Sequence, residues 1–91
     1  MRRRVVVRGR VQGVGFRWFV REHARTLKLA GWVKNLPDGM VELEVEGPAN
    51  KVAELMALVA EGPDGAVVAG VDEVQISEPA TTLPETFTIE R

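Results

Sequence analysis

The chain has 91 residues, a formal net charge of −1 and no cysteine, with His23 its one histidine and Ser77 its one serine. That length suits a single domain, residues 1–91, with a core that needs no metal or cross-link, and the composition excludes disulfides and thiolate metal sites and argues against a zinc cluster or a serine–histidine triad. No apolar run approaches membrane-span length, and Arg2 to Arg4 lead into a short strand rather than a signal h-region, so a soluble, cytoplasmic, monomeric protein is expected.

Arg4 to Arg8 reads as the first strand, a β-branched run suited to a central position. It leads into Gly9-Arg10-Val11-Gln12-Gly13-Val14-Gly15-Phe16-Arg17, where three glycines fall within seven positions. Such a stretch allows a tightly curled backbone whose N–H groups form a concave anion site, reinforced by the start of the next helix. Arg17 is placed to close over it with a planar, bidentate cation. Arg10 either adds steering charge or faces solvent. The residues alone leave a plain glycine-rich turn as the other reading. No Gly-Lys-Ser/Thr follows and the third glycine of a dinucleotide fingerprint is missing, so any phosphate bound here belongs to a small substrate.

Phe16, Phe19, Val20, Ala24 and Leu27 recur at three- and four-residue spacing, predicting a helix to about Leu29. Arg21, Arg25 and Lys28 take its other face, His23 lies beside the apolar stripe, and Trp18 lies on its flank, able to cover the loop or simply to pack. After Ala30-Gly31, the segment Trp32 to Asn35 is a short strand, and Leu36-Pro37-Asp38-Gly39 is a turn. Val41, Leu43 and Val45 then alternate with Glu42, Glu44 and Glu46, predicting a half-buried strand with a solvated acidic face. Gly47-Pro48 opens a second helix striped by Val52, Leu55, Met56 and Val59, and Gly62-Pro63-Asp64-Gly65 ends it. A third β segment is expected over about Ala66 to Ser77, then a loop from Pro79 to Pro84, and Phe87 and Ile89 mark a last short strand.

The order β-α-β-β-α-β-β fits a split βαβ sandwich, a mostly antiparallel five-stranded sheet with both helices on one face. Its first loop opens at one end of the sheet as an accessible concave site. Through residue 35 the chain carries ten basic residues against Glu22, roughly +9, and the remainder roughly −10. A basic half around the loop suits steering of anionic substrates, suits nucleic acid, or reflects uneven surface charge.

The loop motif from Gly9 to Arg17, followed after a helix by Gly31-Trp32-Val33-Lys34-Asn35, resembles the acylphosphatase family. The resemblance extends to the Asp38-Gly39 hairpin and to Glu46-Gly47-Pro48, and covers nearly the whole chain. It implies a small ferredoxin-like α/β (α+β) sandwich that hydrolyses carboxyl–phosphate anhydrides, releasing carboxylate and inorganic phosphate, with no metal or organic cofactor. It further implies a phosphate cradle formed by the loop backbone over Arg10, Val11, Gln12, Gly13, Val14, Gly15 and Phe16. Arg17 matches the family's phosphate-binding arginine and Asn35 its water-positioning asparagine. The chain departs from the family where some members carry cysteine at the position of Gly15, where related chains often carry arginines at Val67 and Gly70, and in the density of arginines at 2 to 4.

The chemistry of the residue types agrees. An acyl phosphate has a good leaving group, so positioning and charge stabilisation matter more than a strong base. Two alternatives share the fold. An RNA-binding module draws on the basic half, but Glu42, Glu44 and Glu46 on the open sheet face would repel phosphates, so no nucleic-acid partner is expected. A non-catalytic phosphate-binding domain of a larger protein would keep the cradle, whereas a chain starting at Met1 and ending just past its last strand, with both Arg17 and Asn35 present, points to a free-standing enzyme.

Overall fold

The computed structural model describes residues 1–76 and 80–91. Its elements run β1 (Arg2–Arg10), α1 (Phe16–Thr26), β2 (Ala30–Asn35), β3 (Val41–Glu46), α2 (Ala49–Glu61), β4 (Val67–Glu73) and β5 (Thr88–Glu90). The strands form one sheet in the order β4-β1-β3-β2-β5, antiparallel at each junction except that of β2 with β5. Both helices cover the same face and touch each other. This is the ferredoxin-like α+β arrangement that the element order predicts.

Two periodicities build the core. Val5 and Val7 of β1, Val33 of β2 and Val41, Leu43 and Val45 of β3 point to the helices at every second residue. Phe16, Val20 and Ala24 of α1 and Val52, Leu55 and Val59 of α2 meet them at helical spacing, all buried. Each large apolar side chain contributes about 1.5–3 kcal/mol by leaving water.

Several boundaries differ from expectation, each for a local reason. β1 runs past Arg4–Arg8 at both ends because its partners continue, with Arg2 opposite Glu46 and Arg10 opposite Val67 across a bulge at Arg8/Gly9. α1 stops at Thr26 rather than near Leu29. Lys28 takes φ 58°, its N–H bonds the Arg25 carbonyl at 3.0 Å, and the Leu29 N–H bonds the Ala24 carbonyl at 2.9 Å. That is a Schellman closure, and it drops Leu29 into the core. β2 starts at Ala30, two residues early, because Gly31 is paired within the sheet at φ 144°. A Cβ there would collide with the Glu44 carbonyl and the Phe87 ring, so glycine lets both approach. β4 ends at Glu73, although the Val74 N–H still bonds the Arg4 carbonyl at 2.8 Å. The expectations for Ser77 and Pro79 fall outside the described residues.

Of the acidic face of β3 only Glu46 is exposed; Glu42 and Glu44 are buried, at 6% and 4% exposure. Arg2 donates to Glu44 at 2.6 Å, Arg4 to Glu42 at 2.9 Å, and the Lys34 ammonium lies 3.8 Å from Glu42. β3 is flanked by β1 and β2, so Arg2 and Arg4 of β1 fold across to diagonal carboxylates and Lys34 of β2 meets the carboxylate directly opposite. Arg4 and Lys34 also cover the Trp32 ring, 5.6 and 5.1 Å from its centroid. Arg3 pairs with Glu73, and Arg8 with Asp72, whose hydrogen bond and charge raise the Arg8 guanidinium pKa. Half of the ten basic residues through residue 35 are therefore paired across the sheet.

Candidate active site

The loop after β1, the first turn of α1 and the end of β2 meet at one end of the sheet around a cleft of about 470 Å³. Gly13 and Gly15 hold φ of 75° and 78°. A Cβ at either would meet nothing within 4 Å, so these glycines supply backbone direction rather than room. Among the described residues, the N–H groups of Gln12, Gly13, Val14 and Gly15 donate to no backbone acceptor. Gly15 is also the N-cap of α1; it offers no side-chain cap, and the first turn carries no acidic residue. The first-turn N–H groups and the positive helix end are thus available to an anion in the cleft.

The Gln12 side chain does other work. Its Nε2 donates to the carbonyls of Leu36 and Met40, at 2.8 Å each. The Leu36 N–H bonds the same Met40 carbonyl at 2.8 Å, closing the turn that follows Asn35. One amide therefore straps the loop to the hairpin.

Arg17, the second residue of α1, lines the cleft half-buried, and among the described residues no carboxylate lies within ion-pair distance of it. Asn35 closes β2 opposite Val41 and lines the same cleft. Its Oδ1 is buried and accepts no hydrogen bond from the described residues. A buried acceptor without a donor is uncommon enough to require a reason.

Of the residues expected from the sequence, the cleft brings together Val11, Gly13, Gly15, Phe16, Arg17 and Asn35, with Val11 and Phe16 buried at its floor. Arg10 is exposed and does not line it, Gln12 turns its amide to the hairpin, and Val14 packs against the core. Trp18, Ile89 and Arg91 also line the cleft. Trp18 had a sequence signal, its place beside Arg17 on the first turn. Ile89 had none, because it arrives through the parallel register of Val33 with Ile89. His23 lies edge-on against Phe19, with ring centroids 4.5 Å apart, and does not line the cleft.

Among the described residues no group of three or more His, Cys, Asp or Glu is placed to hold a metal ion, and no helix is long and apolar enough to cross a membrane. Among the described residues the arrangement offers a run of backbone donors, the half-buried Arg17 guanidinium, the exposed Arg91 and one buried amide oxygen, a set suited to a phosphoryl group and a neighbouring water.

The family model for Acylphosphatase matches residues 3–89. A relative named Acylphosphatase from Koribacter versatilis is 49% identical over 88 residues, covering 97% of this chain and 78% of its own length. The crystal structure of acylphosphatase from Bacillus subtilis superposes with a TM-score of 0.83 at 41% identity, covering 99% of this chain and 98% of that one. T. kodakarensis HypF gives a TM-score of 0.82 at 29% identity, with all of this chain covering only 12% of that longer one.

Proposed function

Because the chain belongs to the acylphosphatase family, and is an enzyme of that kind, we propose that the loop and Arg17 hold the phosphoryl group of an acyl phosphate while Asn35 positions the attacking water. The observation that carries this reading is the buried, unpartnered Asn35 Oδ1 in the same cleft as Arg17 and the uncapped start of α1.

Leaving such an acceptor unsatisfied costs about 1–3 kcal/mol, which a water donating to it recovers. A water that donates one proton to Asn35 turns a lone pair toward phosphorus. Its oxygen bonds to phosphorus as the bond from phosphorus to the acyl oxygen breaks, and the carboxylate leaves with that electron pair. The water proton passes to the phosphoryl oxygens of the substrate, since among the described residues no Asp, Glu, His or Lys side chain lines the cleft. Loop N–H groups and Arg17 neutralise the equatorial oxygens throughout. The mechanism calls on no metal and no second copy of the chain.

Two other readings are weaker. A non-catalytic phosphate-binding role draws on the likeness to a segment of the longer HypF chain. An RNA-binding role on the open sheet face needs an uncovered aromatic there, and the Trp32 ring is covered by Arg4 and Lys34.

The test is turnover of benzoyl phosphate in EDTA by wild type, Arg17→Gln and Asn35→Ala, with folding checked by thermal melting. Each variant should lose about 10²- to 10³-fold in kcat, the effect of removing one well-placed transition-state donor. Phosphate binding without turnover by folded wild type would favour the non-catalytic role. Full activity in either variant would remove that residue from the mechanism.

A further inference from the structure

Beyond the phosphoryl site, we infer that Trp18 and Ile89 form the seat of the acyl group, and that the enzyme selects aromatic or bulky apolar acyl phosphates over small ones. This rests on the mechanism above and names its substrate class.

The cleft has two chemically distinct sides. Gly13, Gly15, Arg17 and Asn35 supply its polar end. Ile89 stands in register with Val33, two residues before Asn35 on the helix-facing side of β2, so it borders that end from β5. Trp18 follows Arg17 on the first turn of α1, about 100° around the helix axis, and borders it from the other element. Trp18 is 58% exposed, and of the large hydrophobic side chains so exposed among the described residues (Met1, Trp18 and Val67) it alone lines the cleft. At about 470 Å³ the cleft falls within the range of sites that enclose a whole small molecule, about 300–1,000 Å³. With the phosphoryl group in the cradle, the acyl carbon skeleton extends along this apolar wall. An acetyl group is too short to cover the indole. A benzoyl ring can stack on it or meet it edge-on, adding an aromatic contact to the apolar area removed from water.

The experiment compares kcat/KM for benzoyl phosphate and acetyl phosphate in wild type, Trp18→Ala and Trp18→Phe, all in EDTA. The wild-type ratio should favour benzoyl phosphate. Trp18→Ala should reduce that ratio on the order of 10-fold, mainly through KM for benzoyl phosphate, and Trp18→Phe should restore most of it. A purely structural role for Trp18 would lower both substrates together and leave the ratio fixed, which overturns the assignment. So would a wild-type preference for succinyl phosphate that disappears in Arg91→Ala, since the cleft would then be selecting a second anion. Failure of wild type to hydrolyse any of these substrates would instead overturn the mechanism on which the assignment rests.

Discussion

Replacing Gln12 with leucine keeps a side chain of similar bulk and removes both donors of the strap. The two bonds it loses, to the carbonyls of Leu36 and Met40, are each 2.8 Å long. At about 0.5–1.5 kcal/mol net per bond they are together worth about 1–3 kcal/mol. Leu36 and Met40 are only partly buried, and the Met40 carbonyl keeps its bond from the Leu36 N–H. Water and that remaining bond therefore hold the loss near the lower end, about 1 kcal/mol, or roughly 4–8 °C in Tm for a domain of this size. Activity should suffer more than stability. The strap fixes the loop relative to the residue that follows Asn35, and a displacement of about 1 Å between reacting groups can cost about 10²-fold. The loop N–H groups and Arg17 move together, so binding of the phosphoryl group should survive. Thermal melting, steady-state kinetics with benzoyl phosphate and competitive inhibition by inorganic phosphate separate these effects. Gln12→Leu should lower kcat about 10- to 100-fold while the phosphate Ki changes less than about 3-fold. An unchanged kcat with a lowered Tm would refute the positioning role and leave Gln12 a purely structural residue.

Gly31→Ala should destabilise the fold by about 2–4 kcal/mol, since the new Cβ meets the Glu44 carbonyl and the Phe87 ring at a φ of 144°; urea denaturation reads the loss, and a shift below about 0.5 kcal/mol would mean that the strands give way easily. Glu44→Ala removes the partner of Arg2, a pair whose side chains are 17% and 5% exposed. Because Arg2 also donates to the Thr81 carbonyl at 2.7 Å, the expected loss by urea denaturation is about 1–3 kcal/mol rather than that of a fully stranded charge. Guanidinium and amide groups do not titrate between about pH 5 and 9, so kcat should be flat there apart from substrate ionisation; a sharp enzyme-derived bell centred on neutrality would contradict a mechanism without a protein base.

Much of the fold was legible because its faces are periodic. The stripes of Val41, Leu43, Val45 and of Val52, Leu55, Met56, Val59 are the buried faces that alternation and helical spacing predict. What the sequence concealed depends on non-local neighbours. Glu42 and Glu44 alternate like surface residues, and only the placement of β3 between two strands bearing Arg2, Arg4 and Lys34 buries them. Their pairing also removes the free repulsive face expected of β3, and Arg4 and Lys34 cover the neighbouring Trp32 ring. Leu29 was expected as the helix end but enters the core from beyond it, through a left-handed lysine that no propensity marks. At the site, Arg17 and Asn35 were legible from two spaced motifs, and the cleft brings both together. The strap from Gln12 and the wall from Ile89 were not, because each depends on which backbone or strand the fold sets beside it.

The central claim is that water attacks phosphorus within a cradle formed by the loop and Arg17. Hydrolysis of benzoyl phosphate in ¹⁸O-enriched water tests it most directly, by mass spectrometry of both products after enzymatic turnover. Attack at phosphorus predicts the label in inorganic phosphate and none in benzoate. Label in benzoate would mean attack at the carbonyl carbon, and the roles assigned to Arg17 and Asn35 would not stand.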